Sequence, residues 1–268
     1  MAHVFTPTAG TATAAPRDLP NRPALDSDIV REARLDLAAC FRTAARLGLH
    51  EGICNHFSAM LPGYDDQFLV NPYGLAFGEV TASSLLVCDF DGNVVAGSGA
   101  PEATAFYIHA RLHLRLPRAR VALHTHMPYA TALSMTAGDP LVYAGQTALK
   151  FRGRVAVDPD YNGLALDTGE GDRIAAAIGD ADIVFMKHHG VMVLGGSIAE
   201  AWDDLYYLER ACQVQCIAES TGRKILPVPS AVAEQTARQM RAGDGASARS
   251  HLASLRRRLD REEPDYRL

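Results

Sequence analysis

The sequence contains few cysteines, and none is arranged for redox or zinc chemistry. Its five cysteines include no Cys-x-x-Cys pair, and an odd number cannot close into a complete set of disulfides. Cys212 and Cys216 lie four residues apart in a helical pattern, which favours small core side chains over thiol ligands. We therefore expect neither a disulfide framework nor a thiolate metal site.

An excess of positive charge is absent as well. The formal net charge is −5, which excludes the basic surface that nucleic-acid binding needs. No stretch approaches the roughly 18 apolar residues of a membrane-spanning helix, and the first residues lack the apolar segment of a secretory signal. These absences predict a cytoplasmic protein that binds neither nucleic acid nor a membrane.

Long linkers and internal repeats are missing from the body of the chain. The 268 residues are 48% hydrophobic and 21% charged, as in an ordinary globular protein. Residues 1–24 are rich in alanine, threonine and proline, which predicts a flexible N-terminal arm. We predict a single domain over residues 25–268, with a C-terminal helical extension over residues 231–258.

Hydrophobic periodicity predicts an α/β protein. Helical spacing covers residues 26–47, 101–116, 128–135, 166–178 and 197–221. Short strand patterns cover residues 52–58, 68–71, 86–89, 93–95, 121–125, 183–186 and 191–194. Tight turns between the early strands, such as Asp91-Gly92, indicate antiparallel neighbours.

Two histidine motifs end predicted strands and suit a metal ion. His124 and His126 are two residues apart, so both point to the same face of a strand. A third ligand is available from the His188-His189-Gly190 motif after the next buried strand. Three imidazoles leave coordination positions open, which is typical of a catalytic centre for one divalent transition metal such as Zn, Mn or Fe. His109 and His113 are spaced i, i+4, but we interpret them as packing or surface residues.

Four motifs resemble those of the class II aldolase/adducin family. They are Asn71-Pro-Tyr-Gly74, Leu123-His-Thr-His-Met-Pro-Tyr-Ala130, His188-His-Gly-Val191 and the capped helix after Gly196. The resemblance covers about residues 28–222. It implies a three-layer α/β/α sandwich around a mixed, largely antiparallel central sheet. It also implies that His124, His126 and His189 are the metal ligands, and that the protein is a homotetramer.

The chain departs from the family at the acid/base position. Sugar-phosphate aldolases of this family carry Ser-Ser-Glu there, whereas this chain has Ala103-Thr104-Ala105. This weakens phosphate binding and removes the usual acid/base. Glu102 lies one helical turn earlier and can substitute for it, or it can simply favour the start of a helix. His188, where the family often has asparagine, is either a proton donor near the metal or a polar residue at a strand end.

Further motif positions predict the substrate pocket. Asn55 and Ser58 match a strand that contributes to the pocket in relatives, and Tyr73 and Gly74 occupy the matching turn. Tyr161 can close over the site, although the Tyr161-Asn-Gly sequence also makes a good turn by itself.

Three functions remain open. The first is a metal-dependent lyase, an aldolase or decarboxylase, that acts on a non-phosphorylated hydroxy- or keto-acid or a hydroxyaromatic carboxylate. The second is a non-heme Fe(II) oxygenase, because a branch that resembles this family oxidises prenylated hydroxyphenylpyruvate. The third is a non-catalytic, adducin-like binding module. Oxygen uptake separates the first two, and retention of all three histidines argues against the third.

Overall fold

A computed structural model describes residues 22–268 and contains one eight-stranded sheet. The order of the strands across the sheet is β4-β3-β2-β1-β5-β8-β7-β6, and only the β6–β7 pair is parallel. The strands are β1 (His56–Met60), β2 (Gln67–Val70), β3 (Leu86–Asp89), β4 (Val94–Ala96), β5 (Val121–Thr125), β6 (Val155–Asp158), β7 (Ile183–Met186) and β8 (Gly190–Gly195). The predicted mixed, largely antiparallel sheet is confirmed.

Helices cover both faces of this sheet. They are α1 (Asp28–Arg46), α2 (Ala103–Arg115), α3 (Pro128–Ser134), α4 (Gln146–Leu149), α5 (Thr168–Ile178), α6 (Ile198–Ser220) and α7 (Ser230–Glu262). The main apolar core lies between the sheet and α1, α3 and α6, while α2 and α5 pack on the opposite face. The three-layer α/β/α sandwich is therefore confirmed. Among residues 22–268, no helix combines the length and apolar character that crossing a bilayer requires.

The predicted strand over residues 52–58 is displaced, because β1 begins only at His56. The side chain of Asn55 explains the later start. Its Oδ1 accepts the backbone N–H of Glu51 at 2.7 Å, which holds the preceding residues in a turn. Residues 56–60 then pair on both sides, with β2 and with β5.

The C-terminal helix is longer than the predicted 231–258, since α7 continues to Glu262. Charged side chains attach this end to α1. Arg256 Nη1 contacts Glu32 Oε2 at 2.7 Å and Asp36 Oδ1 at 2.8 Å, and Arg42 Nη2 contacts Asp265 Oδ2 at 2.8 Å. Arg256 therefore makes contacts within the chain.

The predicted division into an arm and one domain stays a prediction. Most of the arm, residues 1–21, lies outside the described residues. The continuous sheet and its shared main core support a single domain over residues 25–268.

Candidate metal centre

The three predicted histidines converge at the centre of the sheet. His124 lies on β5, His126 follows the end of that strand, and His189 lies in the turn between β7 and β8. One ring nitrogen from each lies within 4.8 Å of those of the other two. Because β5 and β8 are hydrogen-bonded neighbours, their adjacent ends bring the two sequence motifs together. This group can hold one metal ion.

Glycine at position 190 permits this close approach. A Cβ atom at Gly190 would lie 2.7 Å from the carbonyl oxygen of Thr125 and 3.0 Å from the His126 ring. Such distances are too short for a side chain, so any larger residue would push β8 away from the end of β5. The His-Gly sequence thus reflects the packing of the centre as well as its ligands.

Hydrogen bonds orient two of the rings. His124 Nδ1 lies 2.9 Å from the carbonyl oxygen of Val191, and His126 Nδ1 lies 2.6 Å from Glu51 Oε2. A carbonyl or carboxylate oxygen can only accept, so each Nδ1 donates and each neutral ring keeps its lone pair on Nε2. A metal-binding histidine commonly donates its second nitrogen to such a partner.

The spacing of these Nε2 atoms fits a shared ion. They are 3.1 Å apart, and without a proton between them two lone pairs face each other. Two nitrogens about 2.1 Å from one ion lie about 3.0–3.4 Å apart in octahedral or tetrahedral geometry. The donor set therefore fits a divalent transition metal, although it does not select among Zn, Mn and Fe.

Burial keeps the histidines in the form that binds a metal. Burial, together with repulsion from His126, lowers the pKa of His189 to about 4. Burial likewise holds the pKa of His124 well below its usual value, with repulsion from His189 and His56 adding to the effect. Both side chains are therefore neutral near pH 7, and no proton competes with a metal ion.

A cavity of about 310 Å³ opens in front of the group. His126, His188 and His189 line it, together with Thr104, Tyr161 and Gly163. Its apolar wall consists of Ile108, Leu164, Ala165, Ile174 and Met186. Its charged residues are Glu51, Asp158, Asp160, Glu170, Arg173 and Lys187. The cavity thus combines an apolar wall with a charged rim.

The two cations of the rim differ in their partners. Arg173 contacts the carboxylates of Asp158 and Glu170 at 2.6 and 2.7 Å, which balance its charge. Lys187 Nζ instead donates to the carbonyl oxygens of Thr136 and Gly138 at 2.6 and 3.2 Å. Lys187 therefore retains a positive charge with which a bound anion can interact.

Two further predicted residues, Tyr161 and His188, line the cavity. Tyr161 is 52% exposed, and its ring lies 6.2 Å from the ring of His189. His188 is exposed, and its φ of 61° is the only positive value among the non-glycine residues that the structure describes. Asparagine, common here in the family, also tolerates this left-handed conformation.

We expect His188→Gly to stabilise the protein. A left-handed backbone costs a non-glycine residue about 1–2 kcal/mol, and an exposed imidazole loses little packing when it is removed. Because glycine also makes the unfolded chain more flexible, the net gain in unfolding free energy should be at most about 1 kcal/mol. Urea unfolding of wild type, His188→Gly and His188→Asn measures this. A loss of stability in His188→Gly would contradict the expectation.

The remaining predicted residues lie outside the lining of this cavity. Ser58 is fully buried, and its hydroxyl contacts His109 and His113. Tyr73 and Gly74 form a turn in which the Tyr73 N–H donates to the carbonyl oxygen of Ala100 at 2.9 Å. Glu102 caps the N-terminus of α2, where its carboxylate accepts the N–H of Ala105 at 2.9 Å.

Asn55 supports the metal centre from outside the cavity lining. Its Oδ1 accepts the backbone N–H of His126 at 3.4 Å as well as that of Glu51, so it fixes both partners of the His126–Glu51 hydrogen bond. The side chain is almost fully buried, and its Nδ2 has no hydrogen-bond partner among residues 22–268.

Sequence reasoning missed Glu51 and the surroundings of His109 and His113. Glu51 is 75 residues from His126 and follows no recognisable spacing, so only the pairing of β1 with β5 brings the two together. His109 and His113 are buried, which confirms the packing interpretation, but both also belong to a hydrogen-bonded chain. Their i, i+4 spacing was the available signal.

An α/β/α sandwich with a three-histidine group at its central strands defines the class of this protein, and comparisons identify its family. The sequence profile of the Class II Aldolase and Adducin N-terminal domain matches residues 35–216. A Caulobacter vibrioides protein named as an aldolase class 2 protein is 36% identical over 237 residues, or 88% of this chain and 91% of the relative. The chain belongs to the class II aldolase and adducin family.

Two other relatives extend the comparison. The crystal structure of an aldolase II superfamily protein from Pseudomonas syringae has a TM-score of 0.84 and 35% identity, covering 90% of this chain and 97% of that one. A 4-hydroxy-3-prenylphenylpyruvate oxygenase/4-hydroxy-3-prenylbenzoate synthase from Streptomyces roseochromogenus is 31% identical over 208 residues, or 76% of this chain and 73% of the relative. The family thus includes relatives named for different reactions.

Proposed function

We propose that the protein is a metal-dependent lyase that cleaves a C–C bond in a non-phosphorylated hydroxy- or keto-acid or hydroxyaromatic carboxylate. One observation carries this proposal: three histidines form a group that can hold one ion, two of them are oriented by hydrogen bonds, and His126 and His189 line a cavity that has an apolar wall and a charged rim. In this proposal His124, His126 and His189 hold one divalent ion. When bound, such an ion supplies Lewis-acid stabilisation of negative charge on substrate oxygens.

The cavity favours a carboxylate over a phosphate. Ala103 and Ala105 offer no hydroxyl or carboxylate, and Thr104 supplies the one hydroxyl of this triplet. Glu51, Asp158, Asp160 and Glu170 would repel a phosphate dianion more strongly than a singly charged carboxylate. Lys187 can pair with one carboxylate, while Ile108, Ile174 and Met186 contact the apolar part of the substrate.

Proton transfer falls to the residues at the cavity mouth. His188 and Tyr161 are exposed there and can donate a proton to the substrate. Glu102 is the weaker candidate, because its carboxylate already accepts the N–H of Ala105. Asn55 lies outside the cavity lining, and we retain it as a supporting residue, because its Oδ1 accepts the backbone N–H groups of Glu51 and His126. We retain Ser58 only as a supporting residue behind the site.

The second candidate is an Fe(II) oxygenase. Its support is the 31% identity to the Streptomyces protein named as an oxygenase and synthase. The same cavity would admit an aromatic keto-acid, with its ring against the apolar wall and its carboxylate at Lys187. An adducin-like binding module is less favoured, because such a module has no need of a three-histidine group.

Anaerobic purification followed by metal analysis and a turnover assay tests the proposal. The protein is loaded separately with Zn²⁺, Mn²⁺ and Fe²⁺ and incubated with a panel of hydroxy- and keto-acids, with and without oxygen. We expect cleavage without oxygen and its loss in a Lys187→Met variant for acidic substrates, while Lys187→Arg serves as the charge-retaining control. Turnover that requires both Fe²⁺ and oxygen would favour the oxygenase, and no turnover with any metal would favour the binding module.

The homotetramer implied by the family also stays a proposal. Val214 and Ile217 on α6 and Leu226 beyond it are exposed apolar residues, which supports a subunit contact in the C-terminal half. Sedimentation equilibrium measures the mass directly.

A further inference from the structure

A chain of buried polar side chains connects α2 to the strand beside the metal centre. His113 Nδ1 lies 2.6 Å from the carbonyl oxygen of Ala119, and His113 Nε2 lies 2.7 Å from Ser58 Oγ. Ser58 Oγ lies 2.5 Å from His109 Nδ1, and His109 Nε2 lies 2.7 Å from His56 Nδ1. All four side chains are at most 5% exposed. The hydrogen-bonded chain is therefore shielded from bulk solvent.

The carbonyl of Ala119 fixes the direction of every hydrogen bond in this chain. A carbonyl only accepts, so His113 donates from Nδ1 and, when neutral, accepts at Nε2. Ser58 must then donate its proton to His113 and accept from His109 Nδ1. His109 in turn accepts at Nε2 from His56 Nδ1. One arrangement of protons thus satisfies the whole chain, provided that all three histidines are neutral.

Burial supports that neutral state. It holds the pKa of His109 well below the usual range and lowers that of His113 to about 4. A second proton on His109, at Nε2, would face the N–H that His56 donates. A buried network of this kind stabilises one arrangement only when every member is satisfied.

The last member of the chain contacts a predicted metal ligand. His56 and His124 are directly opposite partners on β1 and β5, and their ring centroids are 4.8 Å apart. The His109 ring lies 4.7 Å from His56 on the α2 side. His56 therefore lies between the hydrogen-bonded chain and His124. His124 is held in turn by its own hydrogen bond to the carbonyl oxygen of Val191 on β8.

We propose that His113, Ser58 and His109 are positioning residues that hold His56 in its Nδ1–H tautomer. His56, fixed in this way against His124, orients the predicted ligand His124 for metal binding. The hydrogen-bonded chain directs the N–H of His56 towards His109 and keeps its other nitrogen unprotonated. In the reversed tautomer the proton of His56 would lie on its other nitrogen. The dipole of the His56 ring would then point the opposite way beside the divalent ion. The metal part of this inference rests on the proposed function, whereas the tautomer assignment does not.

Ser58→Ala tests this tautomer assignment, because it removes the only hydroxyl of the hydrogen-bonded chain. His109 Nδ1 then loses its acceptor, so His109 can carry its proton on Nε2 instead. His56 Nδ1 must then accept from His109, and His56 carries its own proton on Nε2 as well. We expect nitrogen NMR of the metal-free variant to detect Nε2–H tautomers at both residues. We also expect the affinity for Co²⁺ to fall about 10–100-fold, as when an outer partner of a ligand histidine is lost.

Two matched variants serve as controls. Ser134→Ala removes another fully buried hydroxyl, which donates to the carbonyl oxygen of Thr131 within α3, and should change Co²⁺ affinity less than about threefold. Ser58→Thr keeps the hydroxyl and should restore both the tautomers and most of the affinity. An equal loss of affinity in Ser134→Ala would overturn the proposal, because the effect would then be one of general stability.

Wild-type protein supplies a test that does not depend on any variant folding. Metal-free wild type should contain Nδ1–H tautomers at His56, His109 and His113. An Nε2–H signal from any of them overturns the tautomer assignment, whatever the metal affinity. Failure of wild type to bind Co²⁺ would instead contradict the proposed function and leave the tautomer result standing on its own.

Discussion

Replacement of His189 by alanine is expected to lower the affinity for Co²⁺ by more than about 100-fold. Loss of a hydrogen-bond partner of a ligand histidine costs up to about 100-fold, and loss of the ligand itself should cost more. His189 is one of three histidines whose ring nitrogens lie within 4.8 Å of one another, and its removal leaves only two protein ligands. Two nitrogens cannot exclude solvent or fix an ion as three can. Titration of the metal-free protein with Co²⁺, followed by its visible absorption, measures the loss.

Glu51→Gln and His251→Gln complete this experiment. Glu51→Gln keeps an acceptor for His126 Nδ1 but removes the charge, so its effect should fall within about 10–100-fold. His251 lies on α7 and contacts Asp203, outside the group of three, so His251→Gln should bind Co²⁺ as wild type does. Tight binding by His189→Ala would refute the assignment of the three ligands.

Metal-free protein should lose stability steeply as the pH falls from about 6.5 towards 4. Burial depresses the pKa values of His56, His109, His113, His124 and His189, so these side chains are neutral when folded and take up protons on unfolding. Their contribution is therefore fully present above the unfolded pKa of about 6.5 and disappears as the pH approaches the folded values. Each histidine contributes a slope of up to about 1.4 kcal/mol per pH unit.

Urea unfolding at pH 7.5, 6.5 and 5.5 in the presence of a chelator measures this slope. At that slope, five such groups would exhaust a typical unfolding free energy of about 5–15 kcal/mol within about one to two pH units. His113→Gln should reduce the slope by up to about 1.4 kcal/mol per pH unit, because it removes one of the titrating groups. A stability that stays constant between pH 7.5 and 5.5 would show that these histidines are not buried and neutral.

Local patterns predicted the individual strands and the two histidine motifs, whereas the family resemblance implied the three-layer fold and the choice of His189 as the third ligand. Val121–Thr125 and Ile183–Met186 were predicted with the bounds they have in the structure, since continuous apolar runs mark central strands. Each strand places its histidines at its own end. The two motifs then meet because β5, β8 and β7 are consecutive in the sheet.

Features that depend on pairing between distant segments could not be predicted. The hydrogen bond between Glu51 and His126 and the contact of Ser58 with His109 both require the register of β1 against β5 and α2. The extension of α7 to Glu262 depends in the same way on acidic partners in α1, such as Glu32. Spacing along one segment contains no information about these contacts.

The sheet order separates the two halves of the cavity in space. The histidines come from strands at the centre of the sheet, whereas Asp160, Tyr161, Leu164 and Ala165 lie in the segment that follows the edge strand β6. An edge segment can accept insertions and exchanges without disturbing the pairing of β5 with β8. One scaffold can therefore acquire new substrates by replacing residues 159–167 as a cassette, which makes this segment the natural target for a directed-evolution library.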